Sequence, residues 1–376
     1  MTRFSKHLVL LGAGHAHVHV LQALGKHRLA GVRITVVTPF PRQLYSGMVP
    51  GFVAGYYALD ECMIGLAGLL ARCGADLVQS AAVGLDANAG RITLANGDTL
   101  QFDWLSVNSG PVMNRAALDA AMPGAARHAL FVRPMEAFVQ HWFTVMTQAA
   151  HQPLHLAVVG AGAAGLELAM AAAVALRAPG MATGATVTLV TGGSLPGQGY
   201  PAGVQRRVIK ALQRQGVAVR QAACVGMTAH SLALTNGEHL ACTTRLLAVG
   251  AQAPEWLVGS GLALDNKGFM AVNACQQSTS HPRVFAAGDV ASRLDAPHPR
   301  SGVYAVRAGP PLLVNLRAAL HHQPLTPYIA QARALNLISC GDQRAIATWD
   351  RFYIEGRWVW RLKDWIDRRF VARYAP

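Results

Sequence analysis

Three histidines, His15, His17 and His19, crowd the run HLVLLGAGHAHVHVLQAL at residues 7–24. Imidazole is the commonest metal ligand, so the cluster first suggests a metal site. Its spacing argues otherwise. On a helix starting near Gly14, His15 and His19 share a face while His17 points roughly the opposite way, and no cysteine or carboxylate lies nearby in sequence to complete a ligand set. No metal is expected. The glycines of the same run offer different chemistry. In Gly12-Ala13-Gly14 the first glycine permits a tight bend and the second lets the backbone approach a pyrophosphate. The helix mouth then presents unpaired N–H groups to phosphate oxygens. His17 stands where a third glycine or alanine is usual, which requires looser helix–strand packing or a neighbour trimmed to fit an imidazole. His15 falls at the helix mouth, either donating to a phosphate oxygen or merely packed.

The elements that would position this turn occur twice. HLVLLG, a helix ending near Lys26 and VRITVV form one unit; LHLAVVG, Gly160, Gly162 and Gly165, an alanine-rich helix and ATVTLV form another. Both are βαβ units of about thirty residues with the turn in the required place. Downstream, RITLANGDTLQFDWLSVNSG and LALTNGEHLACTTRLLAVGA each read as a hairpin turned by Asn-Gly (Asn96-Gly97, Asn236-Gly237), then a buried strand ending at a glycine. A single Gly-rich turn is weak evidence; two at matched positions with matched hairpins define a duplicated dinucleotide-binding architecture. Residues 156–176 are nearly long and apolar enough to span a bilayer, but Glu167 and the spaced glycines favour a buried strand, turn and helix.

Composition narrows the class. The chain has 376 residues, 52% of them hydrophobic and only 14% charged, with a net charge of +14. Two domains with real cores are expected, and anionic partners: a nucleotide cofactor or a lipid surface. No basic block interleaved with aromatics precedes the C-terminus, which argues against nucleic acid. The six cysteines, Cys62, Cys73, Cys224, Cys242, Cys275 and Cys340, show neither redox nor zinc spacing and read as reduced structural thiols of a cytoplasmic protein.

The stretch HPRVFAAGDVASR (281–293) is an apolar strand ending in Gly288-Asp289. With the two glycine turns it resembles the second flavin fingerprint of the two-dinucleotide-domain flavoproteins, the pyridine nucleotide-disulfide oxidoreductases. The likeness covers nearly the whole chain. It looks closest to the type II NADH dehydrogenase and sulfide:quinone reductase branch. YSGMVPGFVAGYY (45–57) and YAVRAGPPLLVNLRAAL (304–320) look more particularly like the flavoprotein domain found with selenophosphate synthetase. The resemblance implies an α/β fold of two Rossmann-like, glutathione-reductase-like domains: residues 1–115 and 253–320 form the FAD domain, 116–252 an inserted NAD(P) domain, and 321–376 a C-terminal segment.

It further implies non-covalent FAD held at Gly12, Ala13, Gly14, His15, Thr38, Arg42, Val83, Ser109, Gly110, Gly288 and Asp289, with Asp289 on the ribityl chain. NAD(P)H would lie at Gly160, Gly162, Gly165, Glu167, Thr191 and Gly250, with Glu167 beside the nicotinamide. Departures matter here. The ribose-gripping acid is replaced by Thr38 in the first unit and by Thr191 in the second, and Arg206 and Arg207 come late for a 2′-phosphate. The family's CxxxxC pair has no counterpart in residues 42–56, which argues against a disulfide relay; a pairing of Cys62 or Cys73 with Cys340 is not compelled by spacing. The glutamine pair that borders the quinone pocket of type II NADH dehydrogenases aligns with Arg307-Ala308.

The function implied is electron transfer from NAD(P)H through flavin to a quinone or other small acceptor, with Glu167 and Arg307 as candidate catalytic residues. Two alternatives stay open: a flavoenzyme acting on a small sulfur or selenium species with a degenerate second site, and a non-catalytic flavin-binding partner. After Gly341 a hairpin turning at Glu355-Gly356 and a helix from about Leu362 to Tyr374 are expected, with Trp358 and Trp360 alternating on a strand. Leu362, Trp365, Ile366 and Phe370 fall on one face, bordered by Arg368, Arg369 and Arg373. That face suits either a peripheral contact with the cytoplasmic membrane surface or packing on the FAD domain or a second subunit.

Overall fold

The computed structural model describes residues 4–375. An apolar strand, Lys6–Leu11, runs through Gly12 into the helix His15–Lys26; the same order recurs at His155–Val159, Gly160 and Ala163–Ala175. Each of these strands is central in a five-stranded parallel sheet. The first sheet has the spatial order Val284–Ala286, Trp104–Val107, Lys6–Leu11, Val32–Val37, Asp76–Val78. The second has Leu130–Phe131, Thr244–Leu247, His155–Val159, Thr186–Val190, Val217–Arg220. Registers match: Leu11 pairs with Val37 and Val107, and Val159 with Val190 and Leu247. This is the Rossmann-like α/β fold expected of the duplicated sequence.

Each unit also carries a three-stranded antiparallel sheet, Ala82–Asp86 with Arg91–Leu94 and Thr99–Gln101, and Cys224–Met227 with Ser231–Leu234 and His239–Ala241. Both break register at the same place, at Ala82/Gly84 and Cys224/Gly226. The units differ in their outer strand. In the second it precedes the other strands in sequence; in the first it is Val284–Ala286, reached only after the second unit has been traversed.

The helix Ala163–Ala175 buries residues on every side, as an alanine-rich helix without a polar face must. Among the described residues no helix is long and apolar enough to cross a membrane. Its neighbours come from both units: Met48, Val49, Phe52 and Val53 of the segment after the first sheet's second strand join Leu166, Ala169 and Met170 in one core.

The C-terminal segment differs from expectation. Its hairpin turns earlier, at Asp350-Arg351 between Ala345–Trp349 and Phe352–Gly356, because Asp350 accepts the left-handed conformation (φ 55°). Gly356 then caps a helix that starts at Arg357, so Trp358 and Trp360 are helical and do not alternate on a strand. The buried face of Arg357–Arg373 is Val359, Lys363, Asp367 and Phe370, followed by Tyr374, whereas Trp365 is 56% exposed. Phe370 and Tyr374 enter the core of the first sheet beside Ala16, Val20 and Leu24. The helix therefore packs on the first unit through a different face from the one expected.

Candidate functional site

The first turn is closed by the strand ends beside it. A Cβ on Gly12 (φ 87°) would stand 2.4 Å from Ser109 Cα, and one on Gly14 2.5 Å from Asn108 O. No side chain fits at either position. Asn108 is the hub. Its Oδ1 accepts from the N–H groups of Ala16 and His17 at 3.0 and 3.1 Å, and its Nδ2 donates to Ala287 O at 2.5 Å. The helix mouth, the Trp104–Val107 strand and the Gly288-Asp289 corner are thereby tied together.

The three histidines have three environments. His17 is fully buried; its Nδ1–H donates to Gly12 O at 2.5 Å and its Nε2 accepts from Ser106 Oγ at 2.8 Å. Ser106 pairs with Leu10 where the second unit pairs Leu246 with Val158, so the neighbour is indeed trimmed. His19 packs its Cβ 2.9 Å from the position a Cβ on Gly309 would take. His15 packs against both rings of the Tyr45–Phe370 pair. Among the described residues no group of three or more His, Cys, Asp or Glu could hold a metal ion.

Several polar groups around the first turn lack protein partners. His15 Nε2, Gln43 Oε1 and Ser301 Oγ are buried and unpaired. The Asp289 carboxylate and the Arg133 guanidinium nearby are half-buried, and among the described residues neither has a side-chain hydrogen bond to protein. Burial pushes Asp289 up, opposed by Arg133, Arg300 and His298; burial pushes Arg133 down, opposed by Asp289 and Glu136. Unsatisfied groups of this kind call for a polar ligand. A polyol with a pyrophosphate, as in FAD, matches a carboxylate, a guanidinium, an imidazole and a hydroxyl. Val83 and Val112–Ala116 with Pro254–Trp256 line a cleft of about 430 Å³.

The remaining first-unit residues are less engaged. Ala13 is buried, Ser109 is exposed, and Gly110 and Gly288 hold positive φ (72° and 73°). Thr38 is buried, its N–H donating to Val78 O. Arg42 pairs with Asp60 at 2.9 Å on the surface. Arg307 ends the short helix Gly302–Arg307 and is exposed; Gly302, at the opposite end, approaches His15.

In the second turn a Cβ on Gly160 would stand 2.4 Å from Ala248 O, and one on Gly165 1.9 Å from Gly160 O, whereas Gly162 and Gly250 face open space. Thr191 turns inward, its hydroxyl donating to Ser194 O at 2.6 Å. Arg207 lies over the Tyr353 ring, 4.6 Å from its centroid, and Arg206 is exposed. Glu167 accepts from Ser339 N–H at 2.7 Å, and burial pushes it up to about 7, against Lys363. Close by, Lys363 Nζ donates to Gly47 O and to Asp367 Oδ2, both at 2.6 Å, in a buried ion pair. Tyr45, stacked on Phe370 at 4.5 Å, is held neutral by burial and Asp367. The C-terminal helix thus holds the segment at residues 45–48 and brings the Lys363 charge near Glu167.

All six cysteines are free and only Cys275 is partly exposed. Burial pushes Cys62 up to about 12 and also raises Cys340, the opposite of what a nucleophilic thiol needs. Sequence reasoning missed Asn108, Arg133, Gln43, Ser301 and the Lys363–Asp367 pair. Only two left a signal: Asn108 stands where the second unit has Ala248, and Lys363 and Asp367 are four apart on a helix.

Two dinucleotide-type turns on sheets of one strand order, one of them ringed by unsatisfied polar groups, define a two-nucleotide oxidoreductase architecture. The chain belongs to the pyridine nucleotide-disulphide oxidoreductase family, flavin-dependent enzymes whose sequence model matches residues 6–309. An NADH dehydrogenase-like protein of Mycobacterium tuberculosis is 30% identical over 253 residues, 64% of this chain and 61% of that protein. The match thus spans less than two thirds of that relative. The sulfide:quinone oxidoreductase of Aquifex aeolicus superposes with a TM-score of 0.81 at 16% identity, covering 98% of this chain and 91% of that one. NDH2 of Plasmodium falciparum, solved in complex with NADH, does so with a TM-score of 0.80 at 12% identity, covering 98% and 97%. At such identities these two likenesses speak for the fold.

Proposed function

We propose that the protein takes electrons from NADH or NADPH into bound FAD and passes them to a quinone or another small acceptor. The observation that carries this reading is a turn whose glycines leave no room for side chains, with the buried, unpaired His15 Nε2, Gln43 Oε1 and Ser301 Oγ and the half-buried Asp289 and Arg133 near it. Flavin, when bound, supplies the hydride-accepting and electron-releasing chemistry. The chain's own residues bind and orient. The backbone at Gly12–His15 would hold the pyrophosphate, Asp289 the ribityl hydroxyls, and the cleft at Val83 the adenine end. Arg42 would reach an anion only by leaving Asp60, a surface pair worth ~1 kcal/mol or less. The second turn would take the nicotinamide nucleotide. Anaerobic addition of NADH and of NADPH to the purified yellow protein tests this: bleaching by at least one is expected, and no bleaching by either sinks it. With Thr191 turned inward and the neighbouring Arg220 engaged by Glu238, the two nucleotides are expected to differ by less than about tenfold.

The sulfur or selenium alternative has less support, because the thiols are buried and raised. Its relation to selenophosphate synthesis rests on sequence resemblance alone.

Glu167 would hold a proton beside the nicotinamide pocket. Its raised value has a consequence for stability. The unfolded chain loses this proton near the usual carboxylate value, while the folded chain keeps it to about 7. Between those values the folded state binds the extra proton, so stability falls as pH rises. Glu167→Gln is expected to remove that slope and any step near 7 in the turnover profile. Thermal midpoints and rates across this range check both; a slope that persists in the variant assigns it to another group.

The reading also includes attachment to an anionic lipid surface. Trp358, Trp365, Phe352 and Ile354 are exposed, beside Arg357, Arg361 and Arg369. Interfacial tryptophans with arginines favour a membrane face. Sedimentation with anionic vesicles is expected, weakened about tenfold or more in Trp358→Ser/Trp365→Ser. Vesicle-independent dimerisation lost in the same variant would instead make this face a subunit contact.

A further inference from the structure

His15 is held at one ring nitrogen only. Gln43 Nε2–H donates to its Nδ1 at 2.7 Å, and a ring nitrogen that accepts carries no proton. The neutral imidazole therefore bears its proton on Nε2. That Nε2–H is buried and unpaired, as are Gln43 Oε1 and Ser301 Oγ. Tyr45 and Phe370 wall the ring, their centroids 5.3 and 5.7 Å away. Nε2 faces Gly302, where a Cβ would stand 3.9 Å from it and 3.8 Å from Ser46 Oγ. Buried donors in native proteins are almost always paired, so a donor fixed in direction by Gln43 points to an acceptor on a ligand.

We propose that His15 donates a hydrogen bond from Nε2 to the bound flavin nucleotide, and that Gln43 is the positioning residue that sets its tautomer. This rests on the reading that the first turn takes FAD. The charged and titratable groups facing the ring are Arg133, which opposes its protonation, and Tyr45, itself neutral; burial is the larger influence and holds His15 down at about 4. Throughout the neutral range His15 is thus a single uncharged donor, and it does not compete with Arg133 for the cofactor's negative charge.

The test measures FAD affinity and the flavin absorption spectrum across pH for the full chain and its His15→Phe, His15→Gln and Gln43→Glu variants. His15→Phe is expected to weaken FAD binding about tenfold and shift the spectrum, while His15→Gln, which keeps a donor, recovers most of the loss. Gln43→Glu presents an acceptor to Nδ1–H and favours the imidazolium, so FAD binding should tighten as pH falls; in the parent chain this dependence is absent. A purely packed imidazole would produce neither the recovery nor the new pH dependence. Binding by His15→Phe within about twofold of the parent, with no new pH dependence in Gln43→Glu, overturns the proposal. Should His15→Phe fail to fold, the Gln43→Glu profile decides alone. Failure of the parent chain to bind FAD overturns the functional reading as well, an outcome distinct from equal binding by all variants.

Discussion

Gly165→Val is expected to leave flavin bound and to slow its reduction by NADH and NADPH at least about a hundredfold. A Cβ at this position meets Gly160 O at 1.9 Å and Gly160 C at 2.9 Å. That carbonyl cannot step aside freely, because Gly160 N–H donates to Val190 O at 2.9 Å and the turn abuts Ala248. The first unit shows what a side chain here requires. There Gly12 holds φ 87° where Gly160 holds 132°, His17 bonds Gly12 O through its ring, and Ser106 replaces a leucine to make room. A single substitution supplies none of these adjustments. Overpacking of this kind costs about 1–3 kcal/mol, little enough for the remaining fold to persist. Stopped-flow reduction, with the flavin spectrum as a control, checks the result. Reduction at the parent rate would place nicotinamide binding elsewhere than the second turn.

Asp367→Ala is expected to destabilise the protein by roughly 3–5 kcal/mol, a large part of ordinary domain stability. The variant leaves the Lys363 ammonium buried with Gly47 O as its remaining hydrogen-bond partner. The damage should reach the first turn, since Lys363 holds Gly47 and Asp367 abuts Tyr45, which in turn stacks on Phe370 beside His15. Denaturant midpoints of Asp367→Ala, and of Lys363→Met/Asp367→Leu, measure this. The double variant removes both charges and should regain most of the loss. If Asp367→Ala is as stable as the parent, water reaches Lys363 and the pair is not a clamp.

What could be read from the sequence was local. Gly12-Ala13-Gly14 and Gly160 to Gly165 declare themselves because the bend, the close approach and the helix start fall within a few residues. Asn96-Gly97 and Asn236-Gly237 do so because each loop needs a residue at positive φ. The substitution at His17 could also be interpreted, as looser packing or a trimmed neighbour, since the first and second units serve as templates for each other. What escaped was non-local. Nothing near Arg133 announces that it faces Asp289, more than a hundred residues away in sequence. The C-terminal helix was misread for a related reason. Its apolar residues suggested one packing face, but the face that is buried carries a lysine and an aspartate, which satisfy each other only because both are withdrawn from water together. Hydrophobic periodicity cannot register a buried ion pair.

The outer strand Val284–Ala286 sets an order of events during synthesis. The second sheet is built from a continuous stretch, residues 130–247, and can close as soon as that stretch has emerged. The first sheet begins earlier yet lacks an edge until residue 286 is made, and Phe370 and Tyr374 seal its core later still. At typical translation rates the interval between residues 107 and 286 lasts roughly ten to forty seconds. Through that time Val107 and its neighbours pair with Lys6–Leu11 on one side only, and a nascent chain carries an unpaired parallel edge. The first unit is the last to be completed.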